Sequence, residues 1–217
     1  MSLDLGAIAG SISLLGQGML LSLLLVLAGS VGGGIAGLGL ALMRNAKLRV
    51  LSVPAAAYVT RMRSVPLILV LFWFYFVAPL ATGHSIGALS SALVAFVLFE
   101  AAFYCEIVRA GIGAVPVGQT LAAEASGLRR WQVLRLVVLP QALAAMVPLL
   151  VNQVVILFQD TSLVYVVSLR DFLTAASVVA ARDDRPVEMY CFVAVVYLVI
   201  CLAGSRLAGR GGQPVFR

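Results

Sequence analysis

Two carboxylates stand where carboxylates are costly. Glu100 closes a stretch with no charged residue back to Arg63, and Asp160 closes another that opens after Arg135. An ionisable group in so apolar a setting is paired with a neighbour or serves the passage of a polar species. Groups suited to share that work lie close by. Tyr104 falls one turn from Glu100 on the same helical face. Asn152 recurs with Gln159, and Gln153 with Asp160, at seven-residue spacing, so each pair shares a face. Thr161 and Ser162 follow directly. Such a set can hold the ammonium or carboxylate of a small molecule. Plainer readings stand beside this one: Glu100 is hydrogen-bonded between packed helices, and Asp160, Thr161 and Ser162 cap a helix end. Glu106 and Arg109, three apart, can pair on one helix face near its end.

Other chemistries are poorly served. His84 is the single histidine, in an expected turn, with no HExxH pattern and no serine or paired aspartate converging on it. No metal site is expected. Cys105, Cys191 and Cys201 lie in apolar stretches without ligand spacing, and an odd number cannot all pair. They are expected to be reduced and packed against helices or lipid. Gly32 to Gly37 match GxGxxG, but that fingerprint needs a preceding strand, and here it sits inside a long apolar run. Gly29, Gly33 and Gly37 instead repeat every four residues, giving a smooth face for close helix packing.

The elements that must position these groups are membrane helices. The chain is 62% hydrophobic and 11% charged, with mean hydropathy +1.08, against about 25% charged in soluble domains. Charge-free stretches run from Asp4 to Arg44, Arg63 to Glu100 and Arg135 to Asp160, each longer than the roughly 20 residues that cross a bilayer. Five spans are expected, at about 17–43, 64–79, 86–108, 136–159 and 189–205. Residues 4–13 read as an interfacial lead, Thr174 to Ala181 as a short helix at the outer surface, and the charged residues from Arg170 to Glu188 as a solvated outer loop. The N-terminus has no basic segment, so the first stretch reads as mature structure and not a signal peptide.

Basic residues orient the chain, because loops on the cytoplasmic side are enriched in Lys and Arg. With the N-terminus outside, the inner side collects Arg44, Lys47, Arg49, Arg61, Arg63, Arg109, Arg129, Arg130, Arg135, Arg206, Arg210 and Arg217, leaving only Arg170, Arg182 and Arg185 outside. The C-terminus is then cytoplasmic. The net charge of +6 sits at span ends and not along one soluble face, which argues against nucleic acid.

The longest inner loop, about 112–135, is rich in small residues. A short helix over about Val117 to Ser126 is expected, ended by Gly127, since glycine readily takes the left-handed conformation at a helix end. Leu128, Trp131, Leu134 and Leu136 then open a second, amphipathic helix with Pro140 in its early part. A compact inner helix of this kind suits a groove on a partner protein.

These residues resemble the signature loop of ABC importer permeases, in which Glu-Ala-Ala, a glycine and a distal apolar–x–Leu-Pro recur at fixed spacing. Here they are Ala122-Ala123, Gly127 and Val137-x-Leu139-Pro140. Leu121 stands where the motif has its acid, and Glu124 falls at a variable position. Arg63-Ser-Val-Pro66, Phe72 to Phe76, Tyr104-Cys-Glu106-Ile-Val-Arg109 and Leu157 to Leu163 extend the likeness over nearly the whole chain. It is similar to polar amino-acid permeases, most of all those of glutamate/aspartate importers.

The resemblance implies an all-α type I importer fold in a bacterial inner membrane, and a transport subunit rather than an enzyme. Ala122, Ala123, Glu124, Gly127, Leu139 and Pro140 would couple to an ATPase. Glu100, Tyr104, Asn152, Gln153, Gln159, Asp160, Thr161 and Ser162 are the candidates for the path. With no GxxxxGK[ST] loop here, ATP and Mg belong to two separate ATPase subunits. Five spans make half a pore, so a second permease chain is implied, a heterodimer being favoured, together with an extracytoplasmic amino-acid-binding protein. The alternative is an ion-coupled secondary transporter, which commonly carries an internal repeat; none is evident.

Overall fold

The structure, a computed structural model, describes residues 10–84 and 86–211. The expected lead before Gly10 and the basic Arg217 lie outside the described residues. Eight helical segments follow one another: α1 Ile12–Arg44, α2 Arg49–Arg63, α3 Leu67–Thr82, α4 Ala88–Gly113, α5 Val117–Ala125, α6 Arg130–Val167, α7 Phe172–Asp183 and α8 Pro186–Gly211. No strand occurs among the described residues. Helices α1, α4, α6 and α8 are each long and apolar enough to cross a membrane. The molecule therefore has two ends, one carrying α5 and the other α7.

Helix α1 lies along α4 because one face of α1 has almost no side chains. Its buried residues are Leu15, Gly18, Ser22, Leu25, Gly29, Gly33, Gly37 and Ala41, spaced three or four apart. A Cβ on Gly33 would stand 2.7 Å from the Glu100 Cβ, and one on Gly37 2.7 Å from the Tyr104 Cβ and 2.8 Å from the Ala101 carbonyl oxygen. Only a bare backbone fits there. Lipid tails are as apolar as leucine, so packing at this distance, rather than hydrophobic burial, holds the pair together. The opposite face of α1 presents Leu20, Leu27, Ile35 and Leu42 outward, as a lipid-facing or partner-facing surface should.

Three clusters complete the core. Leu25 of α1 meets Leu67 and Leu71 of α3, Phe96 and Phe99 of α4, and Leu157 and Val164 of α6. At the α7 end, Leu15 packs with Phe172, Ala176 and Val179 of α7 and Met189 and Val193 of α8. At the α5 end, Ala41, Val59, Ala102 and Cys105 join α1, α2 and α4. The cysteines are free. His84 only closes its own turn, its Nδ1 lying 2.8 Å from the Thr82 carbonyl oxygen.

The second span departs most from expectation. Residues 44–63 read as an inner loop because of their basic residues, yet Arg49–Arg63 is a helix with Ala55 and Val59 buried. The Tyr58 hydroxyl donates to the Leu98 carbonyl at 2.7 Å, which seats α2 on α4. Instead of a straight span over 64–79, α2 and α3 meet at a bend of 108°, the geometry of a broken span or a re-entrant pair. Extended Pro66, which cannot continue the helix, marks the break. Two five-residue π turns, Trp73–Val77 and Leu134–Val138, also went unforeseen. Each is centred on the residue four before a proline, Tyr75 before Pro79 and Leu136 before Pro140. A proline ring crowds that carbonyl, and the wider turn gives it room.

The charged stretch from Arg170 to Glu188 is likewise mostly helix. Asp171 opens α7 by accepting from the Leu173 and Thr174 amides at 3.0 and 3.1 Å and from the Thr174 hydroxyl. Burial pushes its carboxyl above the usual aspartate range, and the cap bonds pull the other way. Arg182 pairs with Asp183, and Arg185 lies 3.7 Å from Glu188.

The α1–α4 seam makes a contrast that can be measured. Gly37→Ala should lower thermal stability in detergent by about 1–3 kcal/mol through overpacking. Gly34→Ala, whose Cβ would meet nothing within 4 Å, should be neutral or slightly stabilising.

Candidate functional site

The first site is a buried polar contact between α4 and α6. Glu100 is fully buried and Gln153 nearly so. The Gln153 side-chain amide donates to both Glu100 carboxylate oxygens, at 3.2 and 3.0 Å. The stem of the Glu100 side chain packs against Gly29 and Gly33 of α1, so residues of three helices surround it. Tyr104, one turn along, is also buried, and its hydroxyl lies beside the buried Ser30 hydroxyl of α1. Asp160, two turns beyond Gln153 on the same face of α6, is half-buried.

The remaining polar candidates do not all join this group. Thr161 and Ser162 donate to the Phe158 and Gln159 carbonyls, each at 2.8 Å. Their hydroxyls thus tighten the end of α6, where the chain turns into the 3-10 segment Thr161–Val167. Asn152 and Gln159 are exposed. The Gln159 amide lies 3.4 Å from the Cys201 sulfur of α8, on a different side from Glu100. The period-seven spacing was real, but only the Gln153–Asp160 face points toward Glu100.

The second site is the short helix α5. It buries one side chain, Ala123, and exposes Ala122 and Glu124. Pro116, in extended conformation, separates it from α4. Gly127, at φ +84°, ends it. The Gly127 amide donates to the Glu124 carbonyl at 3.0 Å and the Leu128 amide to the Ala123 carbonyl at 3.2 Å. This pair of bonds closes a helix when the residue after the cap is left-handed, so the glycine is required by the turn. Leu121 is 59% exposed. Leu139 and Pro140 are exposed on α6 next to the π turn.

Glu106 carries a wider role than its expected pairing with Arg109. It also meets Arg44 at the end of α1 and Arg63 at the end of α2. These partners lie 62 and 43 residues away in the chain, beyond the reach of helical spacing.

The fold is that of a multi-pass helical membrane protein with a buried polar contact between spans and a compact helix held between two of them. Residues 29–210 match the family described as binding-protein-dependent transport system inner membrane component. The glutamate/aspartate import permease protein GltK of Escherichia coli O6:H1 is 44% identical over 211 residues, covering 94% of each chain. The glutamine transport system permease protein GlnP of Escherichia coli K12 is 31% identical over 97% of this chain and 96% of its own. Among solved structures, an amino acid ABC transporter crystallised with histidines superposes with a TM-score of 0.89, at 27% identity over 98% of this chain and 99% of that one. The MetNI methionine ABC transporter shares the fold, with a TM-score of 0.71 at 22% identity over 92% of this chain and 97% of that one. The chain belongs to this family, as a multi-pass inner-membrane permease of an amino-acid ABC importer with the type I fold. It is a transport component and not an enzyme.

The Glu100–Gln153 contact separates structure from function in a pair of variants. Gln153→Leu should leave the buried carboxylate without its donor and cost about 1–3 kcal/mol in thermal unfolding. Glu100→Gln should keep the hydrogen bond and most of the stability, yet abolish uptake if the charge serves the path.

Proposed function

We propose that the chain imports an acidic amino acid, glutamate or aspartate, driven by ATP hydrolysed elsewhere in its complex. The carrying observation is the 44% identity, over 94% of the chain, to a glutamate/aspartate import permease. The α5 end faces the cytoplasm in this reading, which the distribution of Lys and Arg supports, with the N-terminus outside and the C-terminus inside. Two ATPase subunits, holding ATP and Mg, dock on α5. Ala122, Ala123, Glu124 and Gly127 shape the contact, and Leu139 and Pro140 fix the helix beside it. A second permease chain, different in sequence, completes the pore. An extracytoplasmic binding protein delivers the amino acid at the α7 end.

Within the chain, Glu100, Gln153 and Asp160 border the path, with Tyr104 beside them. Thr161 and Ser162 shape its outer end, and Asn152 and Gln159 face the second permease. A carboxylate at this depth suits the α-ammonium group common to all amino acids. No Lys or Arg stands mid-span to hold an acidic side chain, so selection among amino acids falls to the binding protein. Closure of the ATPase pair moves α5 and switches the path between its two openings.

Radiolabelled L-glutamate uptake into proteoliposomes holding the whole complex tests the reading. Uptake should require ATP inside, resist proton and sodium ionophores, and be competed by L-aspartate far better than by L-glutamine. Ionophore-sensitive uptake without ATP would instead establish a secondary transporter.

The turn after α5 has its own test. A left-handed conformation costs a residue with a Cβ about 1–2 kcal/mol, and a β-branched side chain suits it least. Gly127→Val should therefore cut uptake about tenfold while ATP hydrolysis continues and the spans stay inserted.

A further inference from the structure

Near the α5 end, a single carboxylate holds three guanidinium groups from three segments. Arg44 Nη1 donates to Glu106 Oε1, Arg63 Nη1 lies 3.6 Å from the same oxygen, and Arg109 Nε donates to Oε2 at 2.8 Å. The Glu106 and Arg44 side chains are 17% and 20% exposed, against 45% and 55% for Arg63 and Arg109. The Arg44–Glu106 pair is thus the sheltered centre, and the outer two are partly wetted. Arg63 also sits over the Phe103 ring, 5.5 Å from its centroid, a placement that favours a cation. Three cations share one anion, so removing the anion would leave three like charges facing one another at close range.

The chain positions of these residues give the cluster its meaning. Arg44 is the last residue of α1. Arg63 is the last residue of α2, immediately before the 108° bend into α3. Glu106 lies two turns from the end of α4, and only Ala114, Val115 and Pro116 separate α4 from α5. The backbone connection from α5 to Glu106 is therefore short and mostly helical, and from Glu106 the ion pairs reach the end of α1 and the end of α2. Helix α3, beyond the bend, packs Leu67, Val70 and Leu71 into the core shared with α4 and α6.

We propose that Glu106 is a positioning residue that passes displacement of α5 to the α2–α3 bend, through its pairs with Arg44 and Arg63. The proposal rests on the reading of α5 as the ATPase dock. In it, α4 moves with α5, and the carboxylate carries the α1 end and the bend along. Without the carboxylate the three arginines repel and α3 no longer follows.

The test uses the whole complex in nanodiscs, with Cys191 and Cys201 replaced by serine. Spin labels at positions 50 and 80, where Val50 of α2 and Leu80 of α3 are strongly exposed, report the distance across the bend. In the parent complex, ATP should shift that distance. Glu106→Gln should give a broader distribution insensitive to ATP. L-glutamate imported per ATP hydrolysed should fall about tenfold, the scale expected for losing a sheltered charge-assisted bond. A purely structural role would lower the yield of assembled complex and leave both readouts of the assembled fraction unchanged, which would overturn the proposal. An ATP-insensitive parent complex would instead overturn the docking reading, and this proposal with it. Should Glu106→Gln fail to assemble, Arg63→Gln removes a half-exposed partner: a lost ATP response supports the proposal, and a retained one overturns it.

Discussion

The approach of α1 to α4 at backbone distance is the constraint on which the other features depend. In hydrocarbon no solvent drives helices together, so they must fit closely. Gly33 and Gly37 supply that fit by leaving room for the Cβ atoms of Glu100 and Tyr104. The same seam that excludes a methyl group from α1 therefore packs against the stem of the buried Glu100 side chain on one side. Gln153 of α6 covers it on another. One turn and a half further along α4, Glu106 meets Arg44 where the seam ends. Packing and polar chemistry are thus aligned on a single helix, α4.

Burial divides these polar groups by the work they can do. Glu100 is held by one neutral amide, with the Tyr104 and Ser30 hydroxyls nearby. Such an arrangement has spare hydrogen-bonding capacity and a strong demand for it, which suits transient contact with a polar solute. Glu106 is saturated by guanidinium groups and suits holding segments in place. The α5 helix carries neither feature. It buries only Ala123 and is defined by its closing turn, so its surface is free to face a partner, and the exposed Leu121 makes part of that surface apolar.

Much of this was legible in residue order because membrane crossing imposes coarse rules. Long charge-free stretches located four helices, the four-residue glycine repeat located the seam, and Gly127 located the turn after α5. The α2 helix was hidden because Arg49, Arg61 and Arg63 resemble an inner loop; its burial depends on Tyr58 and Val59 finding α4, a tertiary fact. The bend at Pro66 and the two π turns are proline effects, readable once the carbonyl four residues earlier is considered. Glu100 and Gln153 were both singled out, but their contact joins positions 53 residues apart. Spacing along one helix cannot reveal it. The same limit hid Arg44 and Arg63 from Glu106.

The central claim is that α5 is where ATP-derived force enters this chain. A photo-reactive amino acid at position 121, on the exposed face of α5, tests it most directly in native membranes. The account predicts a crosslink to one protein whose peptides include a GxxxxGK[ST] phosphate loop, altered in yield when ATP is trapped. The same probe placed at position 80 should give no such product. Capture of that ATPase from position 80 but not from position 121 would contradict the account.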